Sequence, residues 1–247
     1  MTFLYSIFGK VLHFFYSISG NNYGFAIVLF ALFAKIITLP LAIKQTRSTQ
    51  IMQMLQPATQ IIQKKYAGNQ QKQSEELQKL YNKYNYNPLS GCLPLLIQFP
   101  ILIGLFGALR MPETYVFTEA EMATVSMKFL WIADMSKSSM EIFKEVGAGS
   151  SQFWLSLIIP LLSLGLSAYQ NLKTNLQTSG TGQDASQKGM MIFMTVFIGY
   201  IGLIYSQGLA LYWMLQSALA ILQNYIMMKY FPLKMEAPKI VKRDLKK

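Results

Sequence analysis

The segment that decides the fold is YGFAIVLFALFAKIITLPLAI, residues 23–43, in which a single charge, Lys35, lies among twenty uncharged residues. About twenty apolar residues in a helix are enough to cross roughly 30 Å of hydrocarbon. A lysine at the centre of such a helix costs roughly 2.5–3.5 kcal/mol, whereas each Leu, Ile, Phe or Val contributes about 0.3–0.6 kcal/mol in favour of insertion. Twelve such residues are present. The segment is therefore predicted to cross a membrane and to carry a cation near the middle of the bilayer.

Four further segments, 89–109, 153–171, 190–205 and 209–228, are also long and apolar enough to span a bilayer as helices. The whole chain is 52% hydrophobic and only 13% charged, whereas soluble domains average about 25% charged residues. These observations predict an all-α membrane protein with five transmembrane helices.

The distribution of charge between the spans predicts the orientation. Segments 44–88 and 229–247 each carry seven cations against two acids, whereas segment 110–152 carries four cations and six acids. Because Lys and Arg collect in cytoplasmic loops, the first two segments are predicted to be cytoplasmic and 110–152 extracytoplasmic, with the N-terminus outside and the C-terminus inside. Most of the net charge of +11 then faces the cytoplasm, where it suits anionic lipid or ribosomal RNA and requires no DNA partner.

Three segments outside the spans have a predicted structure of their own. Residues 1–20 form an amphipathic helix, which either lies in the membrane interface on the outer side or packs on the protein's own outer surface. This segment has no basic start, cleavage site or cysteine for lipidation, so it is expected to be retained, with His13 solvated. Two apolar stripes in 44–88 predict a cytoplasmic hairpin of two helices, and the Gly/Ser-rich residues 172–189 predict a flexible cytoplasmic loop.

The charge of Lys35 requires water, a partner or a neutral form. None of the eleven Asp and Glu residues lies in any of the five predicted spans, so an intramembrane salt bridge is excluded. Lys35 could reach the inner membrane surface, lie deprotonated in a packed interior, or face a water-filled cavity. Amides on the other spans favour the cavity, although each alone could instead join two helices. These residues are Gln98, Gln170, Asn171, Gln216, Gln223 and Asn224.

The sequence offers no catalytic or metal-binding constellation. The single cysteine, Cys92, excludes an internal disulfide and a cysteine cluster, and there is no glycine-rich phosphate loop. We therefore expect no catalytic residue, no metal and no cofactor. The main rival class is a solute transporter or channel, which usually shows inverted repeats that are not visible in this sequence. A membrane-bound lipid enzyme would need an acid or a histidine in or near the spans.

Three stretches carry a resemblance to a known family. They are TLPLAIKQTRSTQIMQMLQP (38–57), NYNPLSGCLPLLIQFPILIGLF (85–106) and GLALYWMLQSALAILQNY (208–225). Together with the basic residue in the first span, they resemble the YidC/Oxa/Alb family of membrane-protein insertases. The resemblance extends from about residue 23 to about residue 230. Because a large outer domain is missing, the chain is similar to the short form typical of Gram-positive bacteria, which implies a multi-pass location in the bacterial cytoplasmic membrane.

The resemblance implies a positively charged groove that is open to the cytoplasm and to lipid but closed on the outside. A nascent client would place its hydrophilic outer segment in this groove while its apolar segment slides into the bilayer, without nucleotide hydrolysis, alone or beside the Sec translocon. The groove's basic residue matches Lys35, where the family usually has Arg; lysine keeps the charge but lacks the planar fork of guanidinium. Gln170 and Trp213 match further groove positions.

The resemblance also implies partners on the cytoplasmic face. The hairpin and the basic tail correspond to regions that receive clients and contact the ribosome. Residues expected to make such contacts are Lys44, Arg47, Lys64, Lys65, Lys72, Lys79, Lys83, Lys242 and Arg243. The expected partners are nascent membrane proteins, membrane lipids, the ribosome and the Sec translocon, and the preferred clients have short, neutral or acidic outer tails.

Overall fold

The computed structural model describes residues 2–87, 93–178 and 184–232, and within these ranges the helices are joined by turns and loops and there is no β-strand. The all-α class predicted from the sequence is thereby confirmed for this part of the chain. The helices are α1 (Thr2–Ile18), α2 (Tyr23–Lys65), α3 (Gln70–Lys83), α4 (Leu93–Arg110), α5 (Pro112–Tyr115), α6 (Glu119–Met122), α7 (Ser139–Val146), α8 (Ser151–Thr178), α9 (Asp184–Ile204) and α10 (Gln207–Tyr230).

Two stretches of the described helices are long and apolar enough to cross a membrane. They are Tyr23–Lys65 and Ser151–Lys173, and shorter apolar stretches occupy Phe99–Arg110 in α4 and Thr195–Ile204 in α9. The count of five spans and their orientation therefore remain predictions.

Helix α2 is the longest element, with 43 residues and an expected length of about 65 Å at 1.5 Å per residue. Asn22 caps its N-terminus, where the Asn22 side chain accepts a hydrogen bond from the Phe25 N–H at 2.9 Å. The helix continues through Pro40 and Pro57, each of which removes one backbone hydrogen bond. The first predicted span and the first helix of the predicted hairpin are thus parts of one continuous helix, and no helix end lies near residue 43.

The hairpin core forms where the C-terminal part of α2 meets α3. Leu55, Ala58 and Ile62 of α2 are buried against Leu80 of α3. The turn between the two helices ends at Asn69, whose side chain caps α3 by accepting a hydrogen bond from the Lys72 N–H at 3.0 Å. The two apolar stripes seen in the sequence therefore face each other.

Helix α1 has one buried side and one exposed apolar side. Leu12 and Tyr16 are buried against α2, α4 and the segment after α4, whereas Phe3 is 74% exposed and Phe14 57% exposed. One face of α1 therefore packs on the protein itself, and the apolar side chains of its other face remain available to lipid. His13 is not simply solvated as expected, because its Nε2 lies 2.9 Å from Oε1 of Glu121 on α6.

The segment between α4 and α8 covers the end of the helix bundle where α10 begins. The N–H of Gln207 donates to the carbonyl of Lys137 at 2.9 Å, and the N–H of Gly208 donates to the carbonyl of Met135 at 2.9 Å. The side chain of Gln207 is fully buried, and its Nε2 donates to Oγ of Ser139 at 2.8 Å. We call this set of bonds the Gln207 clasp. It fixes the segment predicted to be extracytoplasmic to the turn between α9 and α10.

Candidate functional site

A polar cavity of about 170 Å³ lies between α2, α8 and α10. One wall is α2 from Lys35 onward, and the other walls are the C-terminal halves of α8 and α10. Amides, hydroxyls and two cations line it, together with Tyr169 and a few apolar residues. The polar lining residues are Lys35, Gln45, Thr46, Thr49, Gln50, Gln53, Gln170, Lys173, Gln223 and Asn224.

Lys35 is half-buried at one end of this cavity. No carboxylate is among the described residues that line the cavity, and Lys35 has no ion pair in that part of the chain. A buried cation without a counter-ion is stable only where polar groups or water solvate it. Of the three alternatives left open by the sequence, this placement favours the wet cavity.

Helices α2 and α10 are joined by hydrogen bonds along the cavity wall. The Oγ1 of Thr46 lies 3.1 Å from Oδ1 of Asn224 and 3.0 Å from the carbonyl oxygen of Ala42. Nε2 of Gln223 donates to the same hydroxyl at 3.4 Å. Because a hydroxyl has one proton, Thr46 can serve only one of its two acceptors at a time.

Two amide oxygens of the cavity wall are buried without a partner. They are Oε1 of Gln50 and Oε1 of Gln223, neither of which has a hydrogen-bond donor among the residues that the structure describes. A buried acceptor left unsatisfied costs about 1–3 kcal/mol. Each of the two amides therefore gains stability if its side chain turns so that the oxygen meets a donor.

The predicted groove residues are only partly brought together. Gln170 lines the cavity with Lys35. Gln216 instead donates from Nε2 to the carbonyl of Ala31 at 2.9 Å, one turn before Lys35, so it joins α10 to α2 beside the cavity. Trp213 is half-buried and packs against the central apolar core. Gln98 belongs to α4, but its side chain lies outside the described residues.

The sequence also contained cavity residues that were not singled out. Gln45, Thr49 and Gln53 follow one another at intervals of four, and Thr46 and Gln50 repeat the same interval. Residues four apart lie on one face of a helix. Extending the helix of the first span beyond residue 43 would have revealed this polar stripe in line with Lys35.

The cations predicted to contact clients or the ribosome are exposed wherever the structure describes them. Lys44 and Arg47 lie on α2 just beyond Pro40, Lys64 and Lys65 lie in its last turn, and Lys72, Lys79 and Lys83 lie on α3. Lys79 forms an ion pair with Glu76 at 2.7 Å. Lys242 and Arg243 lie outside the described residues.

The sequence pattern of the 60Kd inner membrane protein family matches residues 14–235. The chain belongs to the YidC/Oxa/Alb family. It is 35% identical to a membrane protein insertase YidC of Clostridium perfringens, over 83% of this chain and 78% of that protein. The YidC of Fusobacterium nucleatum is 31% identical over 93% of this chain and 98% of its own length.

Comparison with longer YidC proteins and with a solved structure gives the same family. The chain is 35% identical to the YidC of Magnetococcus marinus but spans only 34% of its length. A crystal structure of an active YidC insertase, with its first transmembrane domain resolved, is similar with a TM-score of 0.59 and 30% identity, covering 88% of this chain and 44% of that one. The YidC/Oxa/Alb membership predicted from the three sequence stretches is therefore confirmed, and the helical fold is similar to that of the solved YidC insertase.

Proposed function

We propose that this protein is a membrane-protein insertase that works through the cavity around Lys35. Relatives that align with most of the chain are named membrane protein insertases. The observation that carries the mechanism is the cavity itself, because it combines a cation on the first predicted span with amide-rich walls and no carboxylate among its described lining residues. Such a site attracts a negatively charged or neutral polar segment and repels a positively charged one.

The cavity is proposed to open toward the cytoplasm and to be closed on the outer side. With the N-terminus outside, residues 42–53 of α2 lie on the cytoplasmic side of Lys35, and it is this part of α2 that lines the cavity. The Gln207 clasp lies at the opposite end of α10. A client tail would enter from the cytoplasm, rest in the cavity, and leave outward as its apolar segment moves into the bilayer.

The energetics of this step need no nucleotide. Twenty apolar client residues contribute about 6–12 kcal/mol on the insertion scale, which is available once the polar tail has a wet path into the membrane. An ammonium and a carboxylate about 4 Å apart attract each other by about 4 kcal/mol at an effective dielectric constant near 20, but by only about 1 kcal/mol in bulk water. The cation at Lys35 therefore favours tails that are short and acidic or neutral.

The proposed location is the bacterial cytoplasmic membrane, crossed five times with the N-terminus outside. The exposed lysines of α2 and α3 give the hairpin a positive surface, which suits ribosomal RNA, anionic lipid or acidic client segments. On this basis we include the ribosome among the proposed partners, and the Sec translocon is included because the family resemblance implies it. The basic tail 229–247 would add to the same cytoplasmic surface.

The test is insertion of a single-span client with a short acidic outer tail, measured by protease protection in cells depleted of related insertases. We expect Lys35→Ala to lower insertion strongly and Lys35→Arg to restore it, because the charge at this position is what attracts the tail. A client with a neutral tail should depend less on Lys35. The groove-charge mechanism is wrong if Lys35→Ala inserts the acidic client as well as the unaltered protein does.

A further inference from the structure

The cavity contains a second cation, which the sequence analysis did not single out. Lys173 of α8 lines the same cavity as Lys35, three residues after Gln170. Lys173 is exposed, whereas Lys35 is half-buried. The two cations therefore differ in exposure, and no carboxylate is among the described residues that line the cavity with them.

An aromatic ring of the cavity wall holds the ammonium of Lys173. Its Nζ lies 5.8 Å from the ring centroid of Tyr169, one turn earlier on α8, and Tyr169 itself lines the cavity. A cation over an aromatic face is attracted by the negative centre of the ring. This contact leaves the charge available to an anion, since Lys173 has no ion pair within the part of the chain that the structure describes.

The ordinary explanation for such a lysine is stabilisation of a helix C-terminus, and it does not fit here. Helix α8 continues to Thr178, five residues beyond Lys173. The attraction between a cation and the helix dipole falls off within the last turn. Lys229 provides a contrast, because it lies in the last turn of α10 and stacks on Tyr225 at 5.5 Å with the same four-residue spacing, yet it does not line the cavity.

We propose that Lys173 is a second client-binding cation, and that together with Lys35 it makes the groove select outer tails that carry two carboxylates. The proposal rests on the insertase function above. A tail arriving from the cytoplasm meets the exposed Lys173 first and the half-buried Lys35 second. The amide and hydroxyl side chains of the same cavity offer hydrogen-bonding groups to the extended tail.

The experiment compares three variants with three kinds of client, each with a single span. The variants are Lys173→Gln, Lys173→Arg and, as the control, Lys144→Gln, which removes an exposed lysine of α7 that does not line the cavity. The clients share one apolar segment and carry an outer tail with no acid, one acid or two acids, the two acids being placed two, four or six residues apart. Insertion is measured by protease protection in depleted cells, at equal amounts of insertase in the membrane.

With the unaltered protein, we expect the two-acid client to insert faster than the one-acid client for at least one of the three spacings between its acids. Lys173→Gln should slow the two-acid client by about two- to fivefold, the range typical of an exposed charge pair, and should remove its advantage over the one-acid client. The neutral client should be unaffected. Lys173→Arg and Lys144→Gln should both behave like the unaltered protein.

Two results would overturn the inference. One is an unchanged two-acid advantage in Lys173→Gln at every acid spacing, and the other is an equal loss for all three clients, which would indicate a structural role. The proposed function is tested separately with Lys35→Ala and the one-acid client. If Lys35→Ala lowers insertion of the one-acid client while Lys173→Gln leaves the two-acid advantage unchanged, only the proposed role of Lys173 is wrong. If Lys35→Ala has no effect, the groove mechanism itself is wrong.

Discussion

The Gln207 clasp allows the contribution of one buried amide to be separated from that of the backbone around it. The Gln207 side chain is fully buried, Nε2 donates to Oγ of Ser139 at 2.8 Å, and Oε1 has no partner among the described residues. The N–H of Gln207 is bonded to the carbonyl of Lys137. Any substitution other than proline leaves that backbone bond in place, so changes in stability report the side chain.

The magnitude depends on whether the space is refilled. Gln207→Ala removes the hydrogen bond, at about 0.5–1.5 kcal/mol, and opens a cavity for which large-to-small core substitutions cost about 2–5 kcal/mol. We expect a net loss of about 3–5 kcal/mol. Gln207→Met keeps most of the volume and also removes the unpaired oxygen, so we expect a loss of only about 0–1.5 kcal/mol.

Thermal unfolding in detergent measures the difference between the two variants. At about 2–4 °C per kcal/mol for a chain of this size, Tm should fall by roughly 6–20 °C for Gln207→Ala and by at most about 6 °C for Gln207→Met. Gln152→Ala, an exposed glutamine in the neighbouring α8, is the control and should be neutral. An equal Tm for Gln207→Ala and Gln207→Met would refute the reasoning, because the loss of stability would then come from the missing amide and not from the missing volume.

Two further predictions concern the contacts of α1 and of the segment after α4. Gly9→Ala should lower the unfolding free energy by about 1–3 kcal/mol, because a Cβ at Gly9 would overlap the backbone carbonyl of Tyr115. Gly149→Ala is the control in the same melting assay, because a Cβ at Gly149 would lie in open space. Three hydrogen bonds lower the pKa of the Glu121 carboxyl to about 2. The bond from the Thr118 N–H has the largest effect, and those from the His13 ring and the Thr118 hydroxyl have smaller ones. A lowered pKa contributes stability that is present above the carboxyl's ordinary pKa of 4.5 and is lost as the pH falls toward 2. Tm of the unaltered protein should therefore fall more between pH 6 and pH 3 than that of Glu121→Gln, and parallel curves would contradict the assignment.

Local sequence properties determined the helical class, the apolar segments and the family. Hydrophobic runs and helix periodicity depend on neighbouring residues, so they can be read without knowing which segments meet. The importance of Lys35 could also be predicted, because counting showed that no acid lies in any predicted span. The stripes that form the hairpin core, from Leu55 to Leu80, were visible for the same reason.

Contacts between distant segments were decided only by the tertiary structure. The first span was predicted to end at residue 43, but α2 packs against α10 and α8 and continues to Lys65, which places Gln45 and Thr49 in line with Lys35. His13 and Glu121 are 108 residues apart in sequence, and their contact has no local signal. The sequence of this protein therefore determines which segments are helical and that Lys35 has no acid in any predicted span. Which side chains share a cavity depends on how helix faces from remote parts of the chain pack together, and that is why Lys173 joined the site only in the folded structure.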